Sequence, residues 1–480
     1  MRPYFSSLNP LFIKEKQKKC VSIFFSMATL SEGGFSEIRL DNSKKIITFA
    51  GSMKKITILL ATACVAISVA AQTAKDDLKA NIYLSGSNYL DYDRQLATEP
   101  LTPAPKGYEP FYMTHYGRHG SRWLIGENEY TAPMNTLREA RKAGKLTAEG
   151  EATLQKIEAF YPTTIDRLGE LTTVGERQHH GIGKRMAQNF PEIFKTKNVP
   201  IDARSTVVIR CILSMEAECE ELAAANPTAR IHNDVSESFQ YYLNQRREGV
   251  VREQREKNDE IYAKYEQKWT HPSRLMNVLF NDQQWVFDNI RAASLMRQLF
   301  KLANNMQSHD TDIELYSLFT EEEVYDLWRQ RNIGWYLDYG AAPQSRSVMP
   351  FSQLNLLKNI IATADTVTQT QATLRFGHEV CVLPLACLLE LGQCGVKVEN
   401  LDTLDNVWRN YQIFPMACNI QLVFYRPKKG KSGDVLVKAL LNERETTLPV
   451  QPVDGPYYRW QDLRQYYLDK IAEFEKAYKR

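Results

Sequence analysis

Several signatures that would assign a chemistry at once are missing from these 480 residues. Cysteine is sparse, eight in all, and no two stand in the paired spacing of a zinc site. No cysteine has an arginine six residues later, which excludes a cysteine-phosphatase loop. A Walker-type glycine loop is lacking too, which argues against nucleotide-driven phosphoryl transfer. His378-Glu379-Val380-Cys381-Val382 lacks the second histidine that a zinc-protease helix needs at residue 382. The main body has no apolar run near the roughly 20 residues of a spanning helix, and there is no internal repeat. With 43% hydrophobic and 24% charged residues, the composition is that of an ordinary globular chain.

The N-terminus reads separately from the rest. Met53-Lys54-Lys55, the apolar run Ile56–Ala71 and the small residues Ser68-Val69-Ala70-Ala71 before Gln72 form the pattern of a secretory signal peptide. Cys64 after Leu60–Ala63 is a weaker match to a lipoprotein cleavage site, because the apolar run continues past it. A signal starting at Met53 makes that residue the expected true start and residues 1–52 an extension. Removing Met1–Ala71 leaves 50 basic and 53 acidic residues, so the formal charge of +3 becomes −3. No global basic field then points to nucleic acid or a membrane surface. An exported chain, periplasmic or secreted, is expected, with no stable membrane insertion once the signal is removed. Cys211, Cys219, Cys381, Cys387, Cys394 and Cys418 remain; their even number permits disulfides without choosing a pairing.

Strand and helix patterns alternate along the body. Residues 72–107, ending in Pro100, Pro103 and Pro105, read as an extended lead-in. Strands are expected at Phe111–His115, Val199–Ala203, Ala372–Phe376, Asn419–Tyr425 and Val435–Leu441. Helices are expected at Met134–Ala143, Ala148–Phe160, from Thr173 with a Thr173/Glu176 capping box to Asn189, and from a Ser205 or Thr206 cap through Ala225. Charged and aromatic helical sequence fills 236–345, including Arg246–Lys268, Asp282–Met306 and Glu321–Trp335. This reads as a helical subdomain inserted in an α/β domain of 108–235 and 346–480. A helix over Gln353–Asp365, one from Val380 to Leu391 closed by Gly392, and Trp460–Ala477 complete the pattern.

Three strand-to-helix turns carry charged groups suited to one task. Arg118-His119-Gly120-Ser121-Arg122 puts an imidazole between two guanidiniums, with Gly120 letting the backbone pass close to a ligand. Arg210 stands on the second turn, His378 and Glu379 on the third. A lone Arg-His pair reads as a surface loop; three such turns together do not. A phosphomonoester dianion needs cationic donors around its nonbridging oxygens, a nucleophile in line with the leaving oxygen and an acid to protonate it. His115, His179 and His180 fit packing or helix-surface roles and stay outside the set.

The constellation closely resembles branch 2 of the histidine phosphatases, the histidine acid phosphatases and phytases. Arg118–Arg122 matches their Arg-His-Gly-x-Arg motif, and Arg204–Ser214 is similar to the segment with the third phosphate-binding arginine, here Arg210, followed by Cys211 where threonine is common. The resemblance runs from about Tyr108 to Pro449. Phe376-Gly377-His378 with Leu383-Pro384-Leu385, Asn442-Glu443 and Leu448-Pro449 look most like multiple inositol polyphosphate phosphatases. Those enzymes have His-Ala-Glu, and most acid phosphatases His-Asp; this chain has Glu379 directly after His378 and Val380 where the first pattern has its acid.

The resemblance implies a three-layer α/β/α sandwich like that of phosphoglycerate mutase, with a helical insert. It implies a nucleophile at His119, phosphate binding by Arg118, Arg122, Arg210 and His378, and a proton donor at Glu379 with an acidic optimum. It also implies a small-molecule phosphomonoester substrate, inositol polyphosphates first, with no metal or other cofactor needed because arginines supply the charge. A broad phosphatase of sugar phosphates, and a phosphate-ester binder without turnover, are the rival readings. Arg246, Arg247 and Arg252 are candidate contacts for a polyanion, or a solvated helix face.

Overall fold

The computed structural model describes residues 72–96, 99–245 and 248–478, which form one compact unit. The signal-peptide pattern at 53–71, the extension before it, and Arg246 and Arg247 lie outside the described residues. A single sheet organises the unit: β1 (Tyr108–Arg118), β2 (Pro200–Ser205), β3 (Arg230–Val235), β4 (Gln371–Gly377), β5 (Asn419–Pro427), β6 (Leu436–Leu441), β7 (Arg444–Thr446) and β8 (Tyr458–Arg459). The order is β3-β2-β4-β1-β5-β6-β7, with β8 on β6. β3, β2, β4 and β1 run parallel, whereas β5 pairs antiparallel with β1 and β6 with β5.

Alternate side chains of each strand enter different cores, as a two-residue period requires. Tyr112, Leu422 and Phe424 face a core shared with the helices Leu354–Asp365, Glu379–Leu388 and Trp460–Tyr478. Met113, Val423 and Tyr425 face the other, shared with Thr173–Asn189 and Ile209–Ala225. The fold is therefore mixed α/β with helices on both faces of a central sheet, as expected. A further apolar cluster joins Leu84, Leu137 and Leu154 to Leu299 and Trp328, so residues 236–345 do not build the helical layer alone.

Register sets the site. Arg118 pairs with Gly377 and Ser205 with Phe376, so β1, β4 and β2 end side by side at one sheet edge. Open α/β sheets take ligands at the carboxyl ends of their strands.

Some local expectations are corrected. The lead-in is not extended at its start: Thr73 caps a helix over Ala74–Ala80 with a complete capping box, and 3-10 turns follow at Ile82–Tyr89 and Tyr92–Gln95. The helix to Asn189 is capped by Thr172, whose side chain accepts from Gly175 N, while the Thr173 hydroxyl bonds Asp310. The next helix starts only at Ile209 without a side-chain cap, because Thr206 Oγ1 turns toward His378 and Ser205 Oγ donates to a backbone carbonyl. The stretch Asp282–Met306 breaks into Gln283–Asn289 and Ala292–Met306.

Candidate active site

The first turn is held from all sides by backbone. Arg118 N donates to Cys418 O, His119 N to Gly377 O, and Ala417 N to His119 O, at 2.8–3.1 Å. Gly120 meets protein backbone closely: a Cβ there would lie 2.4 Å from the Gly175 carbonyl oxygen, and one on Gly175 would lie 2.3 Å from Ser121 O. Two glycines thus let the loop lie against the helix Thr173–Asn189. Gln178 ties the loop down, accepting from Ser121 N at 2.9 Å and donating to Asp91 at 2.7 Å. Ser214 accepts from Gly120 N at 3.1 Å.

All six candidate residues meet at this edge. His119 is 1% exposed, and its Nδ1 lies 2.8 Å from Gly120 O. That contact places the ring proton on Nδ1 and leaves the Nε2 lone pair facing the cluster. Burial, then Arg118, Arg210 and Arg122, holds its pKa well below the usual value, so the imidazole is neutral. The His378 ring meets it edge-on at 5.6 Å between centroids. Burial lowers His378 to a pKa of about 4 against the attraction of Glu379, and Thr206 Oγ1 lies 3.5 Å from its Nε2. Cys211 touches the same ring at 3.8 Å and donates to Gly377 O, its thiol pushed up to about 12 by burial.

The guanidiniums are anchored but incompletely satisfied. Arg118 Nη1 donates to the carbonyls of Asn88, Phe414 and Pro415 at 2.7–3.3 Å. Arg122 Nη1 donates to Trp123 O and Arg210 Nη1 to Gly169 O. Arg118 Nε and Nη2, Arg122 Nε and Arg210 Nε are buried with no hydrogen-bond partner. Orphaned buried donors cost about 1–3 kcal/mol each, a cost that an oxyanion in the cradle would offset.

Glu379 opens its helix and lies 3.1 Å from Arg118 Nε and 3.7 Å from His119 Nε2. The Arg118 contact is an ion pair without the alignment of a hydrogen bond. Burial pushes this carboxyl up, but Arg118, Arg122 and His378 together outweigh it and bring the pKa to about 2. In the free site Glu379 is therefore ionised and stands where an anion would. His119, His378 and Glu379 offer ligand atoms within 4.8 Å of one another. Three guanidiniums around the same groups favour an anion there over a divalent cation.

Residues that the sequence pattern does not single out complete the surroundings. Asn88 and Tyr89, from the lead-in, border the cradle: Arg122 lies 5.6 Å and Arg331 5.7 Å from the Tyr89 ring. Arg331 also donates to Asn88 Oδ1 at 2.8 Å. A cleft of about 380 Å³ begins at Asn88 and Tyr89 and is lined by Arg297, Lys301 and Arg331. Glu266 and Glu129 pair with Arg297 and Lys301. Arg252 is exposed on its helix and is not among these residues.

The family model of the histidine phosphatase superfamily, branch 2, matches residues 117–442. The chain belongs to this branch. It is a phosphomonoester hydrolase by that membership. Among solved structures it is similar to the Bifidobacterium longum multiple inositol polyphosphate phosphatase in complex with inositol hexasulfate, at 18% identity and a TM-score of 0.67, over 80% of this chain and 97% of that one. It is also similar to the phytase from D. castellii, at 14% identity and a TM-score of 0.61, over 81% and 85% of the two chains. These likenesses bear out the fold. Among curated protein sequences there is no significant match.

Proposed function

We propose that the chain is an exported phosphatase that hydrolyses inositol polyphosphates through a phosphohistidine at His119. The observation that carries this reading is the set of unpartnered guanidinium donors of Arg118, Arg122 and Arg210 around the neutral imidazole of His119. The donors, with His378, hold the nonbridging oxygens; His119 Nε2 attacks phosphorus as the ester oxygen leaves. Glu379 protonates that oxygen, and water then attacks the phosphohistidine to release inorganic phosphate and free imidazole.

Glu379 enters this cycle ionised, at a pKa of about 2. A phosphomonoester monoanion, whose second pKa is about 6, brings the missing proton. Arginines stabilise the dianion in the cradle, and the charge of that dianion raises the carboxyl's affinity for the proton it gives up. Activity then needs the monoanion, which supports an acidic optimum. No metal enters any step. Support for a polyanionic substrate comes from Arg331, Arg297 and Lys301 in the neighbouring cleft, and from the inositol hexasulfate bound by the B. longum relative. The export reading rests on Met53–Gln72 alone; N-terminal sequencing of the exported chain, expected to begin at Gln72, tests it.

The deciding experiment is phosphate release from inositol hexakisphosphate, a sugar phosphate and other simple monoesters across pH, with His119→Ala as control. Preference for the hexakisphosphate is expected; equal efficiency on all would favour the broad phosphatase. No release by the wild type would favour a binder, and release surviving in His119→Ala would defeat the mechanism.

A further inference from the structure

Ten large hydrophobic side chains stand exposed among the described residues, and six of them belong to three short segments bordering the cradle: Ile125, Ile165, Leu168, Val207, Ile209 and Leu213. Each segment is tied to a phosphate-binding candidate. Ile125 follows Arg122 by three residues, and Ile209 precedes Arg210. Arg210 Nη1 donates to Gly169 O at 3.1 Å, next to Leu168. Gly169 N donates to Leu124 O at 2.9 Å, which sets the second segment beside the first. A methyl placed on Gly169 would lie 3.5 Å from both Arg210 Nη1 and Ile125 Cγ1, so the guanidinium and the isoleucine flank one spot. Ile209 and Leu213, four residues apart, share a helix face.

Scattered exposed hydrophobics need no explanation, but a grouping beside a charged site does. Arg167 and Glu170, which flank Leu168, pair with each other at 2.6 Å, and Asp166 is an exposed charge between Ile165 and Leu168. The basic cleft begins elsewhere, at Asn88 and Tyr89. In-line attack by His119 places the leaving oxygen opposite the attacking nitrogen, and these exposed side chains stand on the segments that carry or anchor Arg122 and Arg210.

We propose that this apolar rim is a subsite for the organic group of a second substrate class, free alkyl phosphomonoesters, which the basic cleft does not serve. The proposal rests on the phosphatase reading above. The chemistry is unchanged: the His119 nitrogen–phosphorus bond forms as the phosphorus–oxygen bond breaks, Glu379 gives its proton to the alkoxide, an alcohol departs, and water releases phosphate from the histidine.

A series of n-alkyl monophosphates from ethyl to decyl, each below its micelle-forming concentration, tests this. Each methylene adds apolar area that an open rim buries in part, so kcat/KM is expected to rise about twofold per methylene and then level off. In Ile209→Ser/Leu213→Ser that slope flattens. Because the slope is a ratio within one protein, an overall loss of activity does not disturb it. A flat series in the wild type, a slope that survives the double substitution, or acceleration only above the micelle-forming concentration would each overturn the subsite. Hydrolysis of no ester at all would defeat the phosphatase reading itself, a result distinct from a flat series.

Discussion

Two His-Glu clusters lie along β1, and only one stands among unpartnered guanidiniums. His119 and Glu379, 3.7 Å apart, stand at the strand's end among Arg118, Arg122 and Arg210. His115, four residues earlier, packs with His179 and Glu218 in the interior, all three at most 1% exposed. There His179 Nδ1 is 2.7 Å from Glu218 Oε1, and His115 Nε2 is 4.0 Å from Glu218 Oε2. The inner cluster has the tighter pair, the deeper burial and a His115 lowered to about 4 mainly by desolvation. It has no opening and no ring of guanidiniums within contact. A perturbed histidine beside a glutamate therefore does not by itself mark a nucleophile; the unsatisfied cations around His119 are what support the proposal that it is one.

Substitutions separate the two clusters most sharply at the histidines. His119→Ala is expected to lower kcat by on the order of 10⁴-fold or more, whereas His179→Ala leaves kcat of the folded protein within about threefold; steady-state kinetics of both variants check this. Glu379→Gln should cost roughly 10²–10⁴-fold on an alkyl ester and far less on nitrophenyl phosphate, whose leaving group needs no proton. Equal losses on both would remove Glu379 as donor. Arg122→Ala should cost about 10²–10³-fold in kcat/KM, the usual loss of one charge-stabilising donor. Glu218→Ala takes the acceptor from a buried ring and should destabilise by about 1–3 kcal/mol in urea titration while sparing kcat.

A further prediction concerns pH. His115 and His378 have folded pKa values of about 4 against an ordinary 6.5, so between those values the unfolded chain binds more protons and stability falls as the solution is acidified. Glu379 adds a second loss between about 4.5 and 2, where its native ion pairing is protonated away. Inorganic phosphate at about 100 times its Kd should restore about 2.7 kcal/mol. Thermal melts should show that protection lost in Arg122→Ala and kept in Glu218→Ala.

The cradle was legible because its side chains come in compact motifs at strand ends: Arg118–Arg122, Arg210 and His378-Glu379. What anchors it was not. Asn88, Phe414 and Pro415 hold Arg118 through backbone carbonyls, which any residue type supplies. Gln178, Ser214 and Arg331 are ordinary helix residues until the fold brings them in. β3 escaped notice because Arg230–Val235 is a polar strand with no fully buried residue, and β7 and β8 span only three and two residues. Thr206 reads as a helix cap in sequence, yet its hydroxyl faces His378, a tertiary contact outweighing the local signal.

The arginine-ringed His119, and not the interior His115 or His179, is the histidine expected to become phosphorylated. Rapid quench of the enzyme mixed with labelled substrate into alkaline denaturant, followed by peptide mapping at alkaline pH, measures this directly. Acid-labile phosphate is expected on the peptide carrying His119, absent from His119→Ala and present in His179→Ala. Turnover of the wild type with no trapped phosphate on that peptide would contradict it.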